Sequence, residues 1–323
     1  MRCLVTGVAG FIGSHLAERL LVEGHEVWGI DNFATYYPRA IKERNLAIAR
    51  SWHNFTLLPK DILTDDLLPW LDGMDWVFHL AARAGVRPSW GHEFVSYVQD
   101  NVLATQRLLD ALARVRCVRR FVYASSSSVY GEVRQVPLTE QLQPRPHSPY
   151  GMTKLAAEHL CALYQRNLGL PVVALRYFTV YGPRQRPDMA LQRFCQAALT
   201  REPLSIFGDG TQRRDFTFVD DIVEATIRAA TCATASGEVL NIGSGVQTSL
   251  REVLALLEEV SESRLTIRYE PAHPGDVTET LADISRARQI LGYTPQIPLR
   301  VGLTRQFAEI VDLHIRAGGS LVA

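Results

Sequence analysis

The segment Thr6-Gly-Val-Ala-Gly-Phe-Ile-Gly13 constrains this chain more than any other. It follows an apolar strand pattern, Cys3–Thr6, and leads into a helical pattern, His15–Glu23, so its three glycines sit at a strand-to-helix joint. In that context Gly7 permits a tight turn, Gly10 lets the backbone approach a pyrophosphate, and Gly13 lets helix and strand pack closely. The helix N-terminus then offers N–H groups and a partial positive charge to phosphates. Three glycines alone also fit an ordinary strand-to-helix turn. Asp31 narrows the choice. It ends the next strand pattern, eighteen residues after Gly13, where a carboxylate accepts both ribose hydroxyls and repels a 2′-phosphate. The implied cofactor is NAD rather than NADP. Asp61-Ile62, after the third strand pattern, is placed to meet the adenine, and fits a turn nearly as well.

Beyond the loop, short β-rich runs alternate with amphipathic stretches. The strand patterns are Cys3–Thr6, Glu26–Ile30, Phe55–Pro59, Trp76–Leu80, Phe121–Ala124 and Val172–Tyr177. Helical spacing is clearest in Phe94–Val115, where Val98, Val102, Leu109 and Leu112 recur on one face. The alternation predicts an α/β fold, a doubly wound parallel sheet with helices on both faces. Past residue 180 prolines punctuate shorter elements, which suggests a smaller α/β domain over 181–323 after a first domain over 1–180. Phe216–Gly243 reads as a further helix–strand pair that returns to the sheet, and helical patterns recur at Leu250–Val260, Ser285–Leu291 and Val301–Ile315.

Composition closes off other classes. The chain has 323 residues, 47% apolar, with 34 basic and 34 acidic side chains, so no net field recruits nucleic acid or an anionic bilayer. The longest run free of Asp, Glu, Lys and Arg, Cys3–Ala17, is fifteen residues with three glycines, too short to span a membrane. The opening MRCLVTG has no signal-peptide pattern, and five scattered cysteines without a CxxC pair point to reduced thiols rather than disulfides or a metal site. The expected location is the cytoplasm. Only three basic residues are lysines, which makes each of them worth attention.

Two further motifs carry chemistry. Tyr150 and Lys154, in Y-G-M-T-K, open a helical stretch running to about Leu168, and spacing i to i+4 stacks them on one face. A nearby ammonium lowers the pKa of a phenol, and the positive nicotinamide ring would add to that effect. Such a Tyr removes a proton from a sugar hydroxyl as hydride leaves the same carbon. A surface Tyr/Lys pair would have the same spacing. The run Tyr123-Ala-Ser-Ser-Ser-Ser-Val-Tyr-Gly131 places four serines at the C-terminal edge of a strand, where parallel sheets hold ligands and a serine can position the reacting hydroxyl. A serine-rich turn is the plainer alternative.

Taken with His79–Val86 (HLAARAGV), Arg176–Pro183 (RYFTVYGP) and Arg213–Ile222 (RRDFTFVDDI), these motifs resemble the extended short-chain dehydrogenase/reductase family, and within it the NAD-dependent nucleotide-sugar epimerases and dehydratases. The likeness spans nearly the whole chain in order. It implies a Rossmann domain, a smaller domain closing over a nucleotide-diphospho-sugar, and a tightly held NAD that is reduced and reoxidised in each turnover. It places the catalytic Ser/Thr on Ser126, with Ser127 adjacent, makes Tyr150 the base and Lys154 its helper, and has Lys154 bond the nicotinamide ribose. Phe11, Ile12, Asn32, Leu80, Ala81, Ala82 and Tyr177 join Gly7, Gly10, Gly13, Asp31, Asp61 and Ile62 as implied cofactor contacts. A homodimer built from the helices at 94–115 and 150–168 follows from the same analogy.

Within the family, 4,6-dehydratases carry Asp-Glu after the catalytic Thr and uronate decarboxylases carry Glu, whereas this chain has Ser127-Ser128. An epimerase needs no further acid, since Tyr150 both takes and returns the proton while the 4-keto sugar rotates. Hexose 4-epimerases carry Asn where this chain has Thr179, and Asp31-Asn32-Phe33, Tyr36-Tyr37 and Thr179–Met189 are similar to UDP-glucuronate 4-epimerases. Oxidising C4 of a uronate makes a β-keto acid, which loses CO₂ if the carboxylate leaves the carbonyl plane, so an epimerase must hold that group. Arg186 is the candidate for a bidentate grip, with Thr179 and Arg87 as further bonds; a diphosphate or surface contact is the alternative for Arg186. By analogy Arg214 holds the diphosphate and Asp276 the uridine ribose, although His273 stands where relatives have Arg. The reading is therefore 4-epimerisation of UDP-glucuronate to UDP-galacturonate, with UDP-glucose/UDP-galactose 4-epimerisation and a non-catalytic NAD-binding regulator as alternatives. His79 reads as a packed core histidine, Asp220-Asp221 as a helix cap, and Asn101 as structural.

Overall fold

The computed structural model describes residues 1–115, 117–133, 135–271 and 277–318. Its strands are β1 (Arg2–Thr6), β2 (Glu26–Ile30), β3 (Phe55–Leu58), β4 (Trp76–His79), β5 (Arg120–Ser126), β6 (Val172–Tyr177), β7 (Thr179–Tyr181), β8 (Leu204–Phe207), β9 (Arg213–Phe218), β10 (Val239–Ile242), β11 (Gln247–Ser249) and β12 (Ile267–Glu270). Its helices are α1 (Phe11–Val22), α2 (Arg39–Asn45), α3 (Leu68–Leu71), α4 (Phe94–Val98), α5 (Ala104–Val115), α6 (Pro149–Leu168), α7 (Ala190–Thr200), α8 (Val219–Thr231), α9 (Leu250–Ser261), α10 (Ser285–Leu291) and α11 (Leu299–Arg316).

Seven parallel strands form the central sheet in the order β10-β6-β5-β4-β1-β2-β3. Two-residue alternation along the strands feeds two cores. Val5, Phe78 and Val122 pack with Leu16 and Leu20 of α1 and Ile222 of α8 on one face. Leu4, Val77 and Phe121 pack with Leu108 and Leu112 of α5 and Cys161 of α6 on the other. The strand order reverses between β1 and β4. At that switch point the loops leaving the C-terminal ends of neighbouring strands diverge and open a crevice. A three-stranded sheet (β11-β9-β7) and a two-stranded sheet (β12-β8), with α7, α9 and α11, complete the fold.

The helical pattern over 94–115 is realised in three pieces, because Gln99–Leu103 forms a π turn between α4 and α5. The widened turn sets buried Asn101 against the chain after β4. There its Oδ1 accepts from Arg83 N, and its Nδ2 donates to Arg83 O and to Thr153 Oγ1 of α6. Asp221 corrects the reading of a helix cap: its carboxylate accepts from Gln296 N and Ile297 N, beyond α10, and caps no turn of α8. All five cysteines are free, and among the described residues no helix is long and apolar enough to cross a membrane and no cluster of His, Cys, Asp and Glu could hold a metal ion.

Candidate active site

The crevice is a cleft of about 780 Å³ floored by the C-terminal ends of the parallel strands and walled by the smaller sheets. At its floor Gly7 turns the chain with φ +70°, a conformation L side chains rarely adopt. A Cβ on Gly13 would lie 2.2 Å from Gly7 O, so α1 reaches this close to β1 only without a side chain there. This cradle fits a dinucleotide phosphate, because the first-turn N–H groups of α1 have no partners within the helix. Phe11, Ile12, Gly10, Leu80, Ala81, Ala82, Ile62 and Tyr177 line the same cleft.

Asp31 sits at the end of β2 with its carboxylate anchored on three sides: Oδ2 accepts from Ala9 N at 3.1 Å, and Oδ1 from Phe33 N at 2.8 Å and Lys42 Nζ at 3.2 Å. Asn32 donates to Asp61 Oδ2 at 3.0 Å, while Asp61 Oδ1 takes Leu63 N, so Asp61 shapes its own turn as well as lining the cleft. Lys42 escaped the motif reading, yet composition pointed at it. The chain's three lysines, Lys42, Lys60 and Lys154, all line this cleft.

The serine run and the Tyr150–Lys154 pair come from β5 and α6. Ser125 and Ser126 are the last residues of β5, which runs two residues past the apolar pattern that marked it. Ser148 caps α6 by accepting from Gly151 N, Pro149 takes the first position, and Tyr150 and Lys154 follow one turn apart. The Tyr150 and Ser126 side chains are close enough for the Ser126 hydroxyl to favour the phenolate, and Ser126 Oγ accepts from Ser128 N at 3.1 Å. Behind them Ser125 donates to Glu158 Oε2 at 2.7 Å, and Glu158 forms a buried bidentate pair with Arg176 at the end of β6. Burial opposes the Arg176 charge, but its bonds to Glu158 outweigh that and raise its pKa. This pair pins α6 to the strand ends one turn beyond Lys154.

The electrostatics depart from the spacing argument. Tyr150 is held above the ordinary phenol value: burial dominates, the hydrogen bond to Ser126 and the Arg186 charge oppose it, and Tyr36 adds to it. Lys154 Nζ instead donates to Ala124 O at 2.6 Å and lies 4.9 Å from the Tyr123 ring centroid. Arg186 is a cation whose charge opposes the rise at Tyr150. Burial also pushes Lys154 down from 10.5 to about 8. Between those values the unfolded chain binds more protons than the folded one, so this group's contribution to stability rises with pH there, and below about 8 the buried charge costs stability. Lys154→Met is therefore expected to melt above wild type at pH 7, by about 2 °C or more, with the gap shrinking by pH 9.5, while turnover is lost. Thermal melts at both pH values check this, and a variant less stable at pH 7 would contradict it.

His79 bridges Thr6 Oγ1 (2.8 Å) and Thr105 Oγ1 (2.9 Å), and burial, aided by the Lys154 charge, lowers it to about 3, so it is a neutral packing residue. Thr179, Arg87, Arg186, Arg214 and Ser127 all line the cleft. Arg87 lies 4.0 Å over the Phe207 ring, and Arg214 donates to Val277 O (2.6 Å) and Thr278 O (3.1 Å). Asp276 and His273 lie outside the described residues. Sequence reading missed Tyr97, whose hydroxyl donates to Ala84 O and Gly85 O and whose ring meets Tyr150 edge-on at 6.2 Å. It also missed Asp188, which holds Arg186 Nε and Nη2 at 3.0 and 2.9 Å.

A family model described as the NAD dependent epimerase/dehydratase family matches residues 3–243. The chain is 45% identical to the "Uncharacterized UDP-glucose epimerase YtcB" of Bacillus subtilis, covering 97% of this chain and 99% of that one. It is 40% identical to a UDP-glucuronate 4-epimerase of Thermodesulfobacterium geofontis, covering 94% of each. Among solved structures, the UDP-glucuronic acid 4-epimerase of Bacillus cereus in complex with UDP-glucuronic acid and NAD superposes with a TM-score of 0.94 at 45% identity, over 97% of this chain and 100% of that one. A glycine cradle at the switch point, a Ser–Tyr–Lys group on β5 and α6, and likeness over almost the full length agree: the chain belongs to the NAD dependent epimerase/dehydratase family.

Proposed function

We propose that this chain is a UDP-sugar 4-epimerase that uses NAD and acts on UDP-glucuronate, converting it to UDP-galacturonate. The observation that carries the reading is the single cleft that joins the Gly7–Gly13 cradle to Tyr150, Ser126, Thr179 and Arg186. Asp31 and the α1 N-terminus hold the dinucleotide. Bound there, NAD supplies the acceptor for the C4 hydride and gives the hydride back. Ser126, beside Tyr150, orients the sugar 4-hydroxyl, and Tyr150 Oη takes its proton and later returns it to O4 when the rotated ketone has presented its opposite face for reduction. Burial holds the Tyr150 pKa up, so the positive charge of an oxidised nicotinamide bound beside it would favour the phenolate and aid base activation. Lys154 holds the β5 end through Ala124 O and contributes to the ribose contact.

Arg186 supports the uronate over a neutral hexose. It is a mostly buried guanidinium facing the reaction centre closely enough to act on Tyr150, and a carboxylate at C6 gives that charge a second partner beside Asp188. Arg214 serves the diphosphate, and Thr179 and Arg87 give further bonds to the carboxylate. The exposed apolar side chains Val95, Leu103, Met152 and Leu163 stand on neighbouring helical segments and support pairing of two copies through this face. The reading is tested by comparing purified protein on UDP-glucuronate and UDP-glucose. The expected kcat/KM favours the uronate by at least about tenfold, or about 1.4 kcal/mol, and a preference for UDP-glucose would overturn the substrate assignment.

A further inference from the structure

Arg186 does not stand alone. Asp188, two residues on, accepts from Arg186 Nε at 3.0 Å and Nη2 at 2.9 Å in a bidentate pair. The Tyr36 ring lies 5.7 Å from the guanidinium carbon, and the Tyr97 hydroxyl is fixed on Ala84 O and Gly85 O. The strap carrying Arg186 is anchored at its base as well. His15 Nε2 bonds Pro183 O at 2.9 Å, Arg184 pairs with Glu18 of α1, and buried Gln185 donates to Val180 O. A guanidinium has five N–H donors in one plane. With Nε and one Nη2 hydrogen engaged by Asp188, the edge left for a ligand is the one shared by Nη1 and Nη2.

We propose that Asp188 is a positioning residue that sets the plane of the Arg186 guanidinium, and through it the plane of the substrate carboxylate, so that the 4-keto uronate is epimerised without losing CO₂. This rests on the uronate reading above. Bidentate carboxylate–guanidinium pairs are planar and directional, so a guanidinium fixed along its Nε edge passes its orientation to a carboxylate on the free edge. In the 4-keto intermediate the C5–C6 bond breaks when it lines up with the C4 carbonyl π system. Its electron pair then forms the C4–C5 enolate, CO₂ departs, C5 takes a proton, and reduction at C4 leaves a UDP-pentose. The hydride removed from C4 in the first step balances that reduction, so no outside reductant is needed. Asp188 keeps C6 in the carbonyl plane and closes this branch. It touches Arg186 rather than the reacting atoms.

The test compares wild type, Asp188→Ala and Asp188→Asn on UDP-glucuronate with NAD, reading the ratio of UDP-pentose (with its 4-keto precursor) to UDP-galacturonate and the CO₂ released. Wild type is expected to give the epimer with only a trace of pentose. Asp188→Ala should raise the pentose fraction at least about tenfold, and Asp188→Asn, which keeps an acceptor for one N–H, should fall between. A merely structural loss would lower both products together. Should Asp188→Ala prove insoluble, Asp188→Asn alone decides, and an unchanged product ratio there overturns the proposal. If wild type epimerises UDP-glucuronate and neither variant shifts the ratio, the role of Asp188 is wrong while the substrate reading stands. If wild type does not turn over UDP-glucuronate, both fall.

Discussion

Replacing Tyr150 by Phe is expected to lower turnover by about 10³-fold or more while NAD stays bound, because the ring still packs and only the proton-transfer oxygen is lost. The ring meets Tyr97 edge-on, a contact that Phe keeps. The hydroxyl is the group on which Ser126 and the Arg186 charge act, so its loss removes the atom both of them favour as a phenolate. Single-turnover absorbance of the reduced cofactor and steady-state assays on the same sample separate chemistry from binding. Turnover within about tenfold of wild type would remove Tyr150 from the mechanism, and loss of NAD binding would make its role structural.

Arg186→Ala is the second large effect. Truncating one partner of a buried charge pair costs about 2–5 kcal/mol, so kcat/KM on UDP-glucuronate should fall by roughly 30-fold to several thousand-fold. UDP-glucose has no carboxylate to lose, and its turnover should change by far less, reversing the preference. Asp188, left without Arg186, is half-exposed and can be solvated, so the fold should survive. Equal loss on both substrates would return Arg186 to a diphosphate or general scaffolding role.

How much of this was legible in the chain follows from the physics of each part. The βα alternation announced the parallel sheet because strands buried on both faces must be apolar and short, and the sheet order follows from the crossovers. The glycine loop was legible because Gly7 and Gly13 are required by backbone geometry, a local property. The Tyr150–Lys154 spacing located the helix that carries both side chains but not the partners each of them meets. Sequence spacing says which side chains share a face, and says nothing of Ala124 O claiming the ammonium or of Arg186 arriving from a strap about thirty residues away. The π turn at Asn101 and the Lys42–Asp31 pair are tertiary in origin and carry no periodic signature. Asp188 was visible beside Arg186 in the sequence, but only the fold shows its carboxylate turned back on the guanidinium.

The most direct measurement uses UDP-glucuronate carrying deuterium at C4, incubated with the purified protein and NAD in ordinary water. If the hydride is lifted from C4 and returned to the same carbon of the rotated sugar, UDP-galacturonate forms with its deuterium retained and no pentose accumulates. Product whose C4 deuterium has been exchanged for solvent hydrogen, or no uronate epimer at all, would contradict hydride return within the cleft and proton transfer by Tyr150.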